Sequence, residues 1–371
     1  MTATISVPSS LLPNQRHFGC GPSAIRKQSV AKLGSSSLLG TSHRQAPVKD
    51  LVGHIRASLS DHLGVPDGWE VVLGNGGATA FWAIAAACLV EHQAACAVYG
   101  SFSGKCAKEM EKAPHLDQPR RVEAPLGSFT PLTATEGADA YCWAHNETST
   151  GVTAPVTRVA GAEDALMLVD ATSIAGAVPV DLAQTDAYYF SPQKAFAADG
   201  GLWFAILSPS AIERAERLSR SGDRWVPGIL DLAQAIANSR KNQTLNTPAI
   251  ATLELLGSQL DWFAELGGMP QVADRCRESS QILYTWAEQH PLAHPFVEDE
   301  ALRSPVVATI EFDESVSAPA LIAALRDNGI LDVGPYRGVG ANQIRVGCFP
   351  TIAPEDLRAL TACLDYLLER L

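Results

Sequence analysis

The sequence has no run of lysines and arginines. Its 28 basic residues are outnumbered by 40 acidic ones, giving a net charge of −12 and a pI of about 5.2. That balance disfavours nucleic acid and anionic membrane as partners. It still allows a few arginines to gather in one pocket and hold a small anion. No C-x-x-C pair occurs among the eight cysteines (Cys20, Cys88, Cys96, Cys106, Cys142, Cys276, Cys348 and Cys363), and several sit in apolar runs. Buried, reduced thiols in a cytoplasmic protein are expected. None of the nine histidines falls in H-E-x-x-H or another ligand spacing, so no metal site is expected. The longest apolar run, Ala80 to Val90, is short of the ~20 residues that span a bilayer. The first 18 residues lack both the basic and the apolar region of a signal peptide, so none is expected. There is no internal repeat and no low-complexity tract.

What is present is 371 residues, 46% hydrophobic and 18% charged, enough for a large core and two or three domains at ~150 residues each. Residues 1–18 are polar with two prolines and read as an arm. Pro47 opens a helix whose apolar positions Val48, Leu51, Val52, Ile55, Leu59 and Leu63 keep a helical period. Short apolar runs then recur at Glu70–Leu73, Ala95–Tyr99, Ala138–Trp143, Leu166–Val169, Ala187–Phe190 and Leu202–Leu207. Helices or loops separate them, including a buried helix over Ala80–Val90 and another from Lys105. This alternation predicts an α/β fold with a mostly parallel sheet covered on both faces. After Leu207 the pattern predicts helices over 208–220, from Thr247-Pro248 through Phe263 to Gly267-Gly268, over Pro270–Glu288, Ala318–Asn328 and Pro354–Leu371. Strands are expected at Val306–Phe312 and Gln343–Cys348. In the second of these helices Thr247 reads as N-cap and Pro248 as the first helical position. The domain organisation expected is an arm over 1–18, a large domain over 19–258 and a smaller α+β domain over 259–371.

Gly74-Asn75-Gly76-Gly77-Ala78-Thr79 joins a strand to a helix, a geometry that offers backbone N–H groups to a phosphate. A dinucleotide site needs G-x-G-x-x-G/A and an acid ~20 residues on. Here the last position is Thr79 and Ala94 to Ser101 holds no acid. A cup for a single phosphate and a plain helix cap both remain open. Beyond it, Phe102, Thr148, Asp170 and Gln193-Lys194 all lie just past strand C-termini, where α/β sheets gather their ligand-binding residues. Taken singly, Lys194 reads as a solvated loop lysine, Asp170 as a strand end and Phe102 as core. Together they suit one chemistry. A lysine amine can form a Schiff base with an aldehyde cofactor, and a carboxylate can keep a pyridine nitrogen protonated. The glycine cup then takes a cofactor phosphate, Phe102 covers a ring and Thr148 reaches a phenolic oxygen.

Several motifs, in order along the chain, resemble the phosphoserine aminotransferase family of class V, most of all its actinobacterial form. They are Gly-Thr-Ser-His-Arg-Gln-Ala (40–46), Gly-Asn-Gly-Gly-Ala-Thr-Ala-Phe-Trp (74–82), Ala-His-Asn-Glu-Thr-Ser-Thr-Gly (144–151), Val-Asp-Ala-Thr-Ser (169–173), the Lys194 stretch and Asn-Thr-Pro-Ala (246–249). The resemblance implies fold type I: a large domain with a mostly parallel seven-stranded sheet, plus a smaller C-terminal domain. It implies a homodimer with shared active sites, pyridoxal 5'-phosphate as cofactor and no metal. The implied reaction converts L-glutamate and 3-phosphohydroxypyruvate to 2-oxoglutarate and O-phospho-L-serine in serine biosynthesis; whether 4-phosphohydroxy-L-threonine is also a substrate stays open.

By position, Lys194 matches the Schiff-base lysine and Asp170 the ring-nitrogen partner. Gly77, Ala78 and Gln193 match cofactor-phosphate ligands, Phe102 the ring-stacking position and Thr148 the ring-oxygen contact. Asn246 and Thr247 are expected to reach the phosphate from the other subunit, in keeping with a helix start there. Arg345 matches the α-carboxylate arginine. His43 and Arg44 of the partner, with Arg337, match the clamp for the substrate phosphate or the glutamate side chain. Two positions depart from the family: Phe102 stands where Trp is frequent, and Tyr336 where a histidine often precedes the arginine. A glyoxylate aminotransferase, a cysteine desulfurase and a non-catalytic cofactor carrier are the competing readings. No cysteine sits in a long Gly/Ser-rich loop as a desulfurase needs. Lys194, Asp170 and Arg345 are all intact, which a carrier would not need.

Overall fold

The computed structural model describes residues 5–371; the first four residues of the expected arm lie outside that range. Seven strands form the main sheet in the order Glu70–Asn75, Leu202–Leu207, Ala187–Phe190, Leu166–Asp170, Ala140–Ala144, Ala94–Val98, Arg120–Glu123. Leu202–Leu207 is antiparallel to both its neighbours, and all other pairings are parallel. Glu70–Asn75 therefore runs with the parallel set, and six strand C-termini share one edge.

The strands alternate between two cores, as a period of two requires. Leu73, Ala97, Trp143, Val169, Phe190 and Phe204 face one core, with helices Ala46–Leu63 and Ile250–Leu266. Val72, Cys96, Cys142, Leu168, Tyr189 and Trp203 face the other, with helices Ala78–Cys88, Ser101–Lys112, Pro209–Ser221 and Leu232–Ser239. Burial on both faces explains why these strands are apolar throughout. A third core lies in the three-stranded antiparallel sheet Ala293–Pro295, Val307–Phe312 and Gln343–Gly347, with helices Ala318–Asp327 and Pro354–Leu368. Val7 and Phe18 are buried in it, and the backbone of Phe18 bonds Leu331 and Gly347. Helix Met269–Gln289 contributes Cys276 to the first core and Leu283 to the third.

Two helix starts differ from expectation. The helix expected from Lys105 begins at Ser101, because a distant carboxylate caps it, as described below. The helix expected from Thr247-Pro248 begins at Ile250, with Ala249 as its N-cap and no side-chain cap. Thr247 turns its hydroxyl to His43 Nδ1 at 3.2 Å instead.

Candidate active site

A cavity of about 340 Å³ opens at the shared strand edge. Gly77, Ala78, Phe102, Thr148, Asp170, Gln193, Lys194 and Arg345 all line it. These eight come from six separate segments between residues 77 and 345. The fold thus brings together every expected residue that belongs to a strand end of one chain.

Lys194 is 8% exposed, and its Nζ donates to Thr148 Oγ1 at 3.0 Å. The ammonium also sits 4.9 Å from the centre of the Phe102 ring. Burial pushes its pKa down to about 8; Asp170 opposes the shift and Arg345 adds to it. The chain leaves no room beside it: a Cβ on Gly21 would lie 2.6 Å from Lys194 Cε. Gly21 is therefore a position that only glycine fills.

Asp170 ends its strand on the cavity wall. One carboxylate oxygen accepts the indole N–H of Trp82 at 2.7 Å, the other the backbone N–H of Thr172 at 2.9 Å. Burial raises its pKa; the Thr172 and Trp82 donors and Lys194 pull the other way. A cation beside it would favour the anion further.

The helix Ala78–Cys88 points its N-terminus into the cavity. Its N-cap is Gly77, no side chain caps it and no acid lies in its first turn. Free N–H groups and the positive dipole end make that spot an anion site. Gln193 Oε1, Thr172 Oγ1, Asn146 Oδ1 and Arg345 Nε, all of cavity-lining residues, are buried without a partner within the described chain. So is Ser191 Oγ, which a Cβ on Gly77 would approach to 3.6 Å. Buried polar atoms of native proteins are rarely left alone, so this cluster marks a polar ligand's seat.

Arg345 stands on the strand Gln343–Gly347, paired with Thr309. Its Nη1 donates to the Thr148 carbonyl at 2.6 Å, which fixes the guanidinium at the cavity rim beside Lys194's own partner.

Phe102 lies in the first turn of the helix Ser101–Lys112. Gly100 is its N-cap, and no local side chain caps it. The fully buried Glu147 does so from 45 residues away. One of its oxygens accepts Phe102 N–H at 3.0 Å, Ser103 N–H at 2.8 Å and the Ser103 hydroxyl at 2.9 Å. The other accepts the Ser149 hydroxyl at 2.6 Å and Ser149 N–H at 3.1 Å.

The structure does not bring His43, Arg44, Asn246, Thr247 or Arg337 into this cavity. Arg44, Asn246, Thr247 and Arg337 are exposed, and His43 is buried against Thr247 with its Nε2 unpartnered. Asn75 accepts from Asn246 N–H at 3.4 Å and donates to the Thr247 carbonyl at 3.0 Å, so these residues form a second polar group. Sequence reasoning gave no role to Trp82, Thr172, Asn146, Gly21 or Glu147. Trp82 had a signal: it lies four residues after Ala78, on the same helix face. Glu147 had none, because the helix it caps is remote in sequence.

Among the described residues no cluster of His, Cys, Asp or Glu could hold a metal ion, and no helix is long and apolar enough to cross a membrane. All eight cysteines are buried and unpaired.

Comparison with known proteins places this geometry. The family described as aminotransferase class-V matches residues 25–333. A phosphoserine aminotransferase of Nocardioides sp. is 49% identical over the full length of both chains. The solved phosphoserine aminotransferase of Cytophaga hutchinsonii superposes with a TM-score of 0.86 at 24% identity, covering 97% of this chain and 100% of that one. That of Bacillus circulans subsp. alkalophilus gives a TM-score of 0.81 at 20% identity, covering 95% and 98%. The two structures speak for the fold, and the family match and the full-length relative for kinship: the chain belongs to the class-V aminotransferases.

Proposed function

We propose that this enzyme is a phosphoserine aminotransferase that moves the amino group of L-glutamate to 3-phosphohydroxypyruvate, giving O-phospho-L-serine and 2-oxoglutarate for serine biosynthesis. One observation carries the reading. Lys194, Asp170, Arg345 and an uncapped helix N-terminus converge on one cavity. The relative at 49% identity that bears this enzyme's name supports it.

The cofactor is pyridoxal phosphate, and the residues present fit it. The orphaned atoms of Gln193 and Ser191, with the N–H groups of Ala78 and Thr79, suit its phosphate. Asp170, held by Trp82 and Thr172, suits a protonated ring nitrogen, and Phe102 suits a ring face. When bound, the cofactor supplies an aldehyde carbon and an electron-withdrawing ring.

The chain's own residues do the rest. Thr148 holds Lys194 Nζ by a 3.0 Å hydrogen bond. A pKa near 8 puts the neutral amine within reach at ordinary pH, so Nζ can take the substrate's α-proton and give it back. Arg345 presents its unpartnered Nε and remaining N–H groups to the substrate α-carboxylate, where a guanidinium fork serves better than an ammonium. Two copies complete the site: His43, Arg44, Asn246 and Thr247 are assigned to the partner's cavity, and Arg337 to the substrate anion. The grouping of His43, Asn246 and Thr247 on one surface supports that assignment, although Thr247 does so without a helix end beneath it. The unpaired cysteines support a cytoplasmic location.

Lys194→Ala tests the reading. Turnover should disappear together with the borohydride-sensitive yellow colour of the loaded enzyme. A variant with full activity would exclude this mechanism.

A further inference from the structure

Lys105 and Tyr336 meet at the cavity mouth although 231 residues separate them. Lys105 lies three residues beyond Phe102, hence on the same face of the helix Ser101–Lys112. Its ammonium donates to the Tyr336 hydroxyl at 2.8 Å. It also sits 5.1 Å from the centre of the Phe102 ring and 5.4 Å from that of Tyr336. Tyr336 lines the cavity, and its ring centre is 5.1 Å from that of Phe102. The Arg345 guanidinium lies 5.3 Å from the same ring centre. One phenol ring thus has two cations near it, one from the helix and one from the strand Gln343–Gly347.

The hydrogen-bond inventory gives this pair a direction. An ammonium has three N–H donors, and one goes to Tyr336. A phenol oxygen that accepts from an ammonium keeps its own proton free to donate. Lysine and tyrosine therefore offer several donors and a positive charge to one anion. Two aromatic rings hold the ammonium in place, which lowers the entropy lost when the anion binds. Lys105, like Arg337, is exposed and outside the cavity lining, but it is held against two residues that do line it, Tyr336 and Phe102.

We propose that Lys105, oriented by Tyr336, is a specificity residue for the substrate's second anionic group, while Arg345 takes the α-carboxylate. Resting on the reaction proposed above, this adds a lysine–tyrosine pair within one chain to Arg337 and the partner's His43 and Arg44 as groups that meet the phosphate of phosphoserine and the side-chain carboxylate of glutamate. A compact ammonium serves either group as a point charge.

The test compares half-reactions of the cofactor-loaded enzyme with O-phospho-L-serine and L-serine. In Lys105→Met the ratio of their kcat/KM values should fall about tenfold or more, the loss appearing in KM for phosphoserine rather than in kcat. Lys105→Arg should recover part of the ratio, and Tyr336→Phe should lower it by a smaller factor. The phosphoserine KM of the wild type should also rise with salt more steeply than that of Lys105→Met. An unchanged ratio in Lys105→Met overturns the proposal, as does an Arg337→Met variant that loses the ratio while Lys105→Met keeps it. A Lys105→Met enzyme that misfolds would lose both substrates equally; the Lys105→Arg and Tyr336→Phe ratios then decide, and wild-type values in Tyr336→Phe with no salt dependence in the wild type overturn it. Failure of the parent reading looks different: the wild type itself would not prefer phosphoserine to serine.

Discussion

Replacing Glu147 by glutamine should loosen the helix that carries Phe102. The carboxylate is fully buried and splits its donors between its two oxygens. Both Ser103 groups go to one oxygen, Ser149 N–H and its hydroxyl go to the other, and Phe102 N–H is shared between the two. A carboxamide accepts through one oxygen only, so at least one backbone N–H and one hydroxyl lose their acceptor whichever way it turns. Hydrogen bonds to charged groups contribute ~1.5–3 kcal/mol each, so two of them amount to about 3–6 kcal/mol. The loss also removes a negative charge from a helix N-terminus, which works in the same direction. Urea unfolding of the loaded enzyme, followed by near-UV circular dichroism, should show the midpoint moving down. Cofactor should dissociate more readily, because Phe102 is no longer held against the cavity. Gly100→Ala should act alike, since its Cβ would fall 2.3 Å from Glu147 Cγ. Glu109→Gln is the control: its partner Lys112 is 3.7 Å away and largely exposed, and such pairs are worth at most about 1 kcal/mol. If Glu147→Gln shifts stability no more than that control, the capping argument is wrong.

Other outcomes follow from the same geometry. The pKa of Lys194 is pushed down to about 8 in the folded chain from an ordinary 10.5, so between those values the unfolded chain binds more protons. Its contribution therefore destabilises below pH 8 and fades as pH rises towards 10.5, on the order of 3 kcal/mol in all. Cofactor-free Lys194→Met should accordingly gain most over wild type at low pH and least at pH 10.5; a gain independent of pH would contradict the burial. Trp82→Phe removes the 2.7 Å donor to Asp170 and should raise that carboxyl's pKa further, so cofactor affinity should fall towards low pH more steeply than in wild type; spectral titration between pH 5 and 8 reads this. Arg345→Ala should cost kcat/KM for both glutamate and phosphoserine, with ~2–5 kcal/mol for losing one side of a desolvated ion pair; unchanged kinetics would remove Arg345 from the site.

The main strands were legible because both faces of the sheet are covered, so that Leu166–Asp170 or Ala187–Phe190 could not be anything but apolar. Arg120–Glu123 escaped notice for the opposite reason: it is an edge strand, three of its four residues are exposed and three are charged. Lys194, Asp170 and the glycine turn were readable from their places past strand ends, since topology alone sends such residues to one edge. The start of the helix at Ser101 was not readable, because its cap is supplied by a residue 45 positions later. Thr247-Pro248 had the local signature of a helix start, yet a tertiary partner, His43, claimed the threonine hydroxyl. The pairing of Lys105 with Tyr336, 231 residues apart, belongs to the same class of long-range contact.

The most direct test of the central claim is a coupled assay of amino transfer to 2-oxoglutarate, with O-phospho-L-serine, L-serine and L-alanine as donors under identical conditions. Phosphoserine should be used with a kcat/KM about a hundredfold or more above the others, as two charge-assisted contacts to its phosphate imply. Serine or alanine used as well as phosphoserine would contradict the account.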